Sequence, residues 1–407
     1  MQGACLIMSD IRILSVKSLS DIKYEIAKIG VEKECIDSLS MKGTFLVFKI
    51  TELSAASCNI IKQTALSAGT DAAVHRNVIT GSIKKSSLIL FGSLKEIERV
   101  AEKLRGQPFG LDIISEKLFG YVNGSKKNKC FLAKRHTFEI GGSVYTMGVL
   151  NVTPDSFSDG GQFAELDSAV SRALEMVQEG ADIIDIGGES SRPGSDPISQ
   201  EKELNRVLPI IEQLREQSDI PISIDTYKSA IAVAALDSGA DIINDISGLQ
   251  FDENMIAVVR ERKAGLIIMH MKGSPKHMQE NPHYEDVIQE IYDFLKERTH
   301  YAINNGIEKE YIAIDPGIGF GKRLIDNYDI LDRFHEFTSL GYPLLIGASR
   351  KSFIGTTLDV PVNERLEGSL ASLALAIEGG VAIVRVHDVK ETVRFIKMYK
   401  TIRKRNN

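Results

Sequence analysis

One pattern, repeated eight times between Val144 and Asp388, restricts this chain more than any other: a short apolar run ends abruptly in polar or ionisable residues, and a helical stretch follows. The runs are VYTMGVLNVT (144–153), ADIIDIGG (181–188), PISIDT (221–226), DIINDIS (241–247), GLIIMHMKG (265–273), YIAIDPG (311–317), PLLIGAS (343–349) and VAIVRVHD (381–388). Each is rich in β-branched residues and nearly continuous, as parallel strands buried on both faces should be. Eight of them alternating with helices predict a (β/α)8 TIM barrel. Its strand C-termini meet at one rim, so Asn151, Glu189, Asp225, Asn244, His270, Asp315, Ser349, Arg385 and His387 are expected around one cavity.

At 407 residues the chain exceeds one barrel of roughly 250, and the surplus lies at the N-terminus. Residues 1–136 read as an accessory α/β domain and 137–407 as the barrel. The segments IRILSV, SDIKYEIAKIG, FLVFKI, SAASCNIIKQTALSAG, SLILFG and SLKEIERVAEKLRG alternate strand-like and helical character. They imply a small layer with an antiparallel or mixed sheet, and they admit a ferredoxin-like arrangement. NGSKKNKC (123–130) reads as a linker, and FEIGG as a short lead-in to the first barrel strand. His75 and Arg76 read as a surface pair.

The formal charge of −6 gives no broad attraction for nucleic acid, and KTIRKRNN reads as a solvated helix end. No apolar run approaches the roughly 20 residues of a membrane span. MQGACLIMSD lacks a basic leader and a long apolar core, so a cytoplasmic location is the default expectation. Cys5, Cys35, Cys58 and Cys130 all precede the barrel without paired spacing and read as free thiols.

The chemistry should sit where the strands end. In LNVTPDSFSDGG (150–161), Asn151 is a hard oxygen donor suited to Mg²⁺, and Phe157 and Asp159 follow in a glycine-closed loop. IDIGGESSRPGS (184–195) sets Ser190, Ser191 and Arg192 before Pro193, a combination suited to an anion. SIDTYKS and IINDISG supply Asp225 and Asn244, whereas Asp245 reads as part of an internal network with backbone amides. AIDPGIGFGK places Asp315 at a strand end, with Phe320 and Lys322 in the turn, and IGASRKSFIG adds Arg350, Lys351 and Ser352. IVRVHDV sends Arg385 and His387 to the same side of the last strand. Asp388 is expected to cap the next helix with Glu391 three residues on.

Taken in order, LNVTPDSFSDGG, GGESSRPGS, SIDTYKS, IINDISG, MHMKG, DPGIGFGK, SRKSFIG and VRVHDV closely resemble the dihydropteroate synthase family of folate biosynthesis, over about residues 143 to 403. The resemblance implies a transferase that joins a hydroxymethyl-dihydropterin diphosphate to p-aminobenzoate and releases diphosphate. By that resemblance Asp225, Asn244, Asp315 and Lys351 hold the pterin, and Asn151 is the Mg²⁺ ligand. Ser191, Arg385 and His387 contact the diphosphate, with Arg192 beside them. Ser352 holds the p-aminobenzoate carboxylate, with Phe157, Pro193 and Phe320 around its ring. Ser191 replaces the more usual threonine but keeps the hydroxyl. An SN1-like path through a pterin cation needs no enzyme nucleophile. Asp159 would steady that cation or position the amine, while Lys351, Arg385 and His387 complete the catalytic set. A homodimer is implied by the resemblance alone.

Two other readings start from the same barrel: a pterin-dependent methyltransferase, and a non-catalytic pterin-binding module. GGESSRPGS, SRKSF and VRVHD provide for a second aromatic substrate and a diphosphate, which neither alternative requires.

Overall fold

The computed structural model describes residues 11–16, 18–124, 130–152, 162–192 and 194–403, and these form two compact units that divide between Lys126 and Lys127, with Thr401 onward grouped in the first.

In the first unit, helices α1 (Leu19–Lys28) and α2 (Lys33–Gly43) precede β1 (Phe45–Ser54), α3 (Ala55–Ala68), β2 (Asp71–Val74), β3 (Lys85–Ser93), α4 (Leu94–Leu104) and α5 (Leu111–Val122). The sheet order is β1-β3-β2, with β3 antiparallel to both neighbours. That is a split β-α-β with the third strand inserted, the first part of a ferredoxin-like layer, but a helix, α5, follows where the fourth strand would come. The core is built by periodicity. Leu88 and Leu90 alternate inward from β3 and meet Ile61 and Ala65 of α3 and Ile97, Val100 and Leu104 of α4, all buried. Ser93 and Glu96 close a capping box that starts α4. The sequence missed α2, β2 and α5, and IRILSV is not a strand: Ile11–Val16 have no regular structure and are exposed. His75 and Arg76 are exposed, as expected of a surface pair.

The second unit opens with a hairpin, β4 (Cys130–Ala133) and β5 (His136–Glu139). The barrel strands follow as β6 (Tyr145–Asn151), β7 (Ile183–Gly187), β8 (Ile222–Asp225), β9 (Ile242–Asp245), β10 (Gly265–Met269), β11 (Ile312–Asp315), β12 (Leu345–Ile346) and β13 (Ile383–Val386). They pair in parallel in the order β11-β10-β9-β8-β7-β6-β13-β12. A parallel bridge between Ile314 and Leu344, with Ile314 N–H donating to Pro343 O at 2.9 Å, joins the two ends into a closed barrel. Between the strands run α6 (Gln162–Glu179), α7 (Gln200–Gln217), α8 (Ser229–Asp237), α9 (Met255–Arg262), α10 (Val287–Asn304), α11 (Leu324–Asp332), then α12 (Ser352–Leu358) and α13 (Leu366–Glu378), and α14 (Val389–Arg403) follows the last strand. All eight predicted strands are present, each shorter than its apolar run.

The expected division at 136/137 cuts through β5, since the hairpin packs with the barrel. Phe131, Ala133 and Phe138 form one buried cluster with Met147, Ile183, Ile242, Ile267, Ala313, Leu345 and Ile383, from strand after strand of the barrel. Gly265 lets the hairpin approach, as a Cβ there would lie 2.9 Å from Phe131 and Ala133. Lys134 extends this floor, its Nζ donating to Leu236 O and Ala240 O at 2.7 and 3.0 Å.

Candidate active site

Parallel register sets the rim. Asn151, Gly187, Asp225 and Asn244 pair one with the next across β6, β7, β8 and β9, so four residues distant in sequence lie in one row. Gly187 keeps that row open: a Cβ there would come 3.6 Å from Asn151 Oδ1 and 3.9 Å from Asp225 Oδ2. Across the mouth, Asp315 ends β11 and Arg385 lies within β13. Asp225, Asn244, Asp315, Lys351 and Arg385 line one cavity, whose apolar walls include Ile246, Met269 and Phe320.

The site's charges are mutually compensated. Arg385 donates from Nε to Asp185 Oδ2 at 2.6 Å and from Nη2 to Asp225 Oδ2 at 2.7 Å. Burial works against its charge, but Asp185 and Asp225 outweigh that and keep it firmly protonated. Asp185 is fully buried and also accepts from Asn244 Nδ2 at 3.4 Å. Sequence reading passed over it as strand interior. The available signal was a carboxylate inside IDIGG, sharing the parity of Gly187 in a run otherwise apolar.

Asp315 Oδ1 accepts from Gly317 N–H at 2.7 Å across the DPG turn. Gly317 has φ +71°, and a Cβ on it would fall 2.0 Å from His270 O, so only glycine fits. Phe320 is buried against Met269, Met271 and Met278, and the Lys351 ammonium sits 3.9 Å above its ring. Lys322, also buried, donates to Phe320 O at 3.0 Å and bonds His270 Nδ1 at 3.0 Å, pinning this turn from behind. His387 is held through Ser349, whose Oγ lies 3.1 Å from Nδ1 and accepts from the His387 N–H at 3.2 Å. Burial, then Arg385 and Arg350, draw its pKa down to about 4, so its imidazole is neutral at pH 7.

Ser352 is exposed as the first residue of α12, and Ser191 and Arg192 lie in the loop between β7 and α7. Phe157, Asp159 and Pro193 lie outside the described residues. Asp245 makes the expected internal network, accepting from Ser247 N–H, Ser247 Oγ and Leu249 N–H at 2.8, 2.7 and 2.9 Å. Asp388 stands directly before α14, its backbone O accepting from Thr392 N–H at 3.0 Å, and its carboxylate pairs with the Arg350 guanidinium, which reaches back from the loop before α12. Among the described residues no three His, Cys, Asp or Glu side chains cluster as a metal cage. The single amide oxygen of Asn151 suits a hard cation that keeps waters and phosphate oxygens as its other ligands.

A closed parallel barrel whose rim gathers carboxylates, an amide, a lysine and an arginine around one cavity has the architecture of a barrel enzyme's active site. Residues 147–387 match the family described as pterin binding enzyme, and the chain belongs to that family. Within it, the chain falls among the dihydropteroate synthases. It is 48% identical over 262 residues to the dihydropteroate synthase of Synechocystis, covering 64% of this chain and 91% of that one. A solved dihydropteroate synthase of Xanthomonas albilineans with 4-aminobenzoic acid is 38% identical, with a TM-score of 0.64, and covers 68% of this chain and 99% of that one. A probable bifunctional folylpolyglutamate synthase/dihydropteroate synthase of Haloferax volcanii is 36% identical over 358 residues, 86% of this chain and 42% of its own length. That alignment is longer than the barrel unit, so it reaches into the first unit.

Burial pushes Asp315 up to about 6, and burial pushes Asp225 up to about 7 against the pull of Arg385. Burial and Arg385 together bring Lys351 down to about 7. These groups titrate as one set. Ligand binding that needs two carboxylates and one ammonium should weaken on the acid side, as the carboxyls gain protons, and on the alkaline side, as Lys351 loses its own. A kcat/KM profile with its maximum near neutrality and falling limbs on both sides is the expected result. A flat profile between about pH 5 and 8 would remove the three groups from recognition.

Proposed function

We propose that the chain condenses a hydroxymethyl-dihydropterin diphosphate with p-aminobenzoate, giving dihydropteroate and diphosphate in folate biosynthesis. The observation that carries this reading is the cavity with Asp225, Asn244, Asp315 and Lys351 on its wall and Arg385 at its edge. The amino-pyrimidinone edge of a pterin offers donors to the two carboxylates, and Asn244 can both give and accept. Lys351, seated on Phe320, supplies a donor to a ring acceptor. Arg385 and neutral His387 face the leaving diphosphate as donors, stabilising charge as it develops. Asn151 would hold Mg²⁺, which supplies electrostatic stabilisation to the departing diphosphate when bound. Ser191 and Arg192 complete the diphosphate end, and Ser352 and Phe320 receive the p-aminobenzoate carboxylate and ring. Phe157, Pro193 and Asp159 are assigned to the same ring and to the developing cation.

A homodimer is proposed through α11, α12 and α13, where Ile325, Leu358 and Leu375, with Val362 in the turn between α12 and α13, leave large apolar side chains exposed. Sedimentation equilibrium tests this. No helix among the described residues is long and apolar enough to cross a membrane. The free thiols of Cys35, Cys58 and Cys130 suit a reducing cytoplasm.

The decisive assay supplies purified protein with pterin diphosphate and p-aminobenzoate, with and without Mg²⁺, and follows dihydropteroate and diphosphate. Absence of dihydropteroate would overturn the reading. Within it, Asp315→Asn is expected to weaken pterin binding by about 1.5 to 3 kcal/mol, because an amide places a donor where the carboxylate accepts a charge-assisted bond. Calorimetric titration with a pterin lacking the diphosphate measures this, and unchanged affinity would take Asp315 out of the pocket.

A further inference from the structure

Behind the β7–α7 loop lies a largely buried ionic cluster that the reaction outlined above does not use. Lys228, three residues after Asp225, places its Nζ 2.7 Å from Glu189 Oε2, 2.7 Å from Glu203 Oε2 and 2.9 Å from Ile198 O. Its three donors are therefore all engaged. Glu203, almost wholly buried on α7, also accepts from Thr226 Oγ1 at 2.9 Å, and Glu189 Oε1 accepts from Tyr227 OH at 2.7 Å. Glu189 Oε2 accepts as well from Ile198 N–H at 2.9 Å. Both ends of the segment that carries Ser191 and Arg192 are thus tied together at its base. Glu189 opens the segment, Ile198 closes it, and Lys228 bonds to both. Lys228 and Thr226 also belong to the short stretch that leaves β8 directly after Asp225, so the same cluster joins the loop base to the strand end that carries Asp225.

A fully paired, hydrogen-bonded cluster of this kind contributes little net stability compared with apolar packing of the same volume, but it fixes geometry, because each partner is costly to leave unpaired. We infer that Lys228, with Glu189 and Glu203, is a positioning cluster that sets Ser190, Ser191 and Arg192 against Asp225, so that the pterin ring and its diphosphate are held at one fixed separation. The inference rests on the assignment of Asp225 to the pterin and of Ser191 and Arg192 to the diphosphate. None of the three cluster residues lines the cavity that holds Asp225 and Asp315; they act through the loop.

The test uses the full chain carrying Lys228→Met, and in parallel Lys228→Met with Glu203→Gln, which removes the charge that the single change leaves buried. Amide hydrogen exchange is read by mass spectrometry over peptides spanning 190–198, 222–228 and 312–317. The Kd of a pterin lacking diphosphate and the KM and kcat for pterin diphosphate are measured alongside. Both variants should exchange faster in 190–198 and keep wild-type exchange in 312–317. They should bind the simple pterin within about twofold of wild type and raise KM for the diphosphate substrate roughly tenfold, since small misplacements of binding groups cost this much or more. Unchanged exchange in 190–198 overturns the inference. So does a loss of simple-pterin affinity that matches the rise in KM, because the cluster would then support the whole pocket. Exchange needs no turnover, so a wild-type protein that makes no dihydropteroate overturns the proposed function, while the exchange result still decides the clamp.

Discussion

A chain shortened to begin at residue 137 is expected to lose its native fold, whereas one beginning at residue 127 should fold and keep its synthase activity. The sequence suggested that everything before 137 was accessory, since every strand and site residue follows that point. The hairpin reverses this. Starting at 137 deletes β4, and with it Phe131 and Ala133, both fully buried under the barrel, and the Lys134 bonds to Leu236 O and Ala240 O. Truncating one buried phenylalanine to alanine costs about 3 to 5 kcal/mol, and here a whole strand is lost while the apolar strand ends beneath it are uncovered. Against a typical stability of about 5 to 15 kcal/mol, that leaves little. The first unit, by contrast, has its own core, and the alignment to the Synechocystis relative covers 91% of that protein with only 64% of this chain. Thermal melts by circular dichroism, size-exclusion chromatography and the synthase assay on both shortened chains decide the matter. A cooperative melt and full activity for the chain starting at 137 would show that the hairpin is dispensable.

Arg385→Ala is expected to destabilise the protein by about 3 to 5 kcal/mol and to abolish pterin binding together with turnover. A role confined to the phosphate end would predict damage only with the diphosphate substrate. The structure gives Arg385 a larger task, since it bridges Asp185 and Asp225 at 2.6 and 2.7 Å. Asp185 is fully buried, and its Oδ1 has no hydrogen-bond partner among the described residues, so removing the guanidinium leaves a buried carboxylate with one long bond from Asn244. Breaking a buried pair by deleting one partner carries a cost of about that size. Asp225, already pushed up to about 7 by burial with Arg385 pulling the other way, would then hold its proton at neutral pH and cease to accept from the pterin. Urea denaturation gives the stability change, and calorimetry with a pterin lacking the diphosphate gives the binding change. Stability within about 1 kcal/mol of wild type, with normal affinity for that pterin, would confine Arg385 to the diphosphate.

The barrel and most of its rim were legible because a parallel strand buried on both faces must be written as an unbroken apolar run, and a polar residue that ends such a run has only the rim to occupy. Asp225, Asn244, Asp315 and Arg385 were found in this way, and all four line the cavity. The β4–β5 hairpin left no comparable signal: CFLA and HTFE are four residues each, and their hydrophobic partners are spread over the barrel strands. In the first unit, IRILSV had strand composition but pairs with no strand among the described residues. Asp388 stands where its local signature put it, directly before α14, but its pairing with Arg350, 38 residues away, left no local trace.

By itself, then, the sequence determined what is periodic or terminal: which stretches become strands and helices, and which side chains stand at strand ends. It could not determine which charges neutralise one another. Arg385 finds Asp225 across 160 residues and Asp185 across 200, and Lys228 finds Glu189 across 39, through parallel register and barrel closure. Only the tertiary structure decided that Asp185 belongs to the site, that the hairpin belongs to the barrel, and that the carboxylates titrate near neutrality. Burial and long-range pairing set these properties, and neither is encoded in any one stretch of the chain.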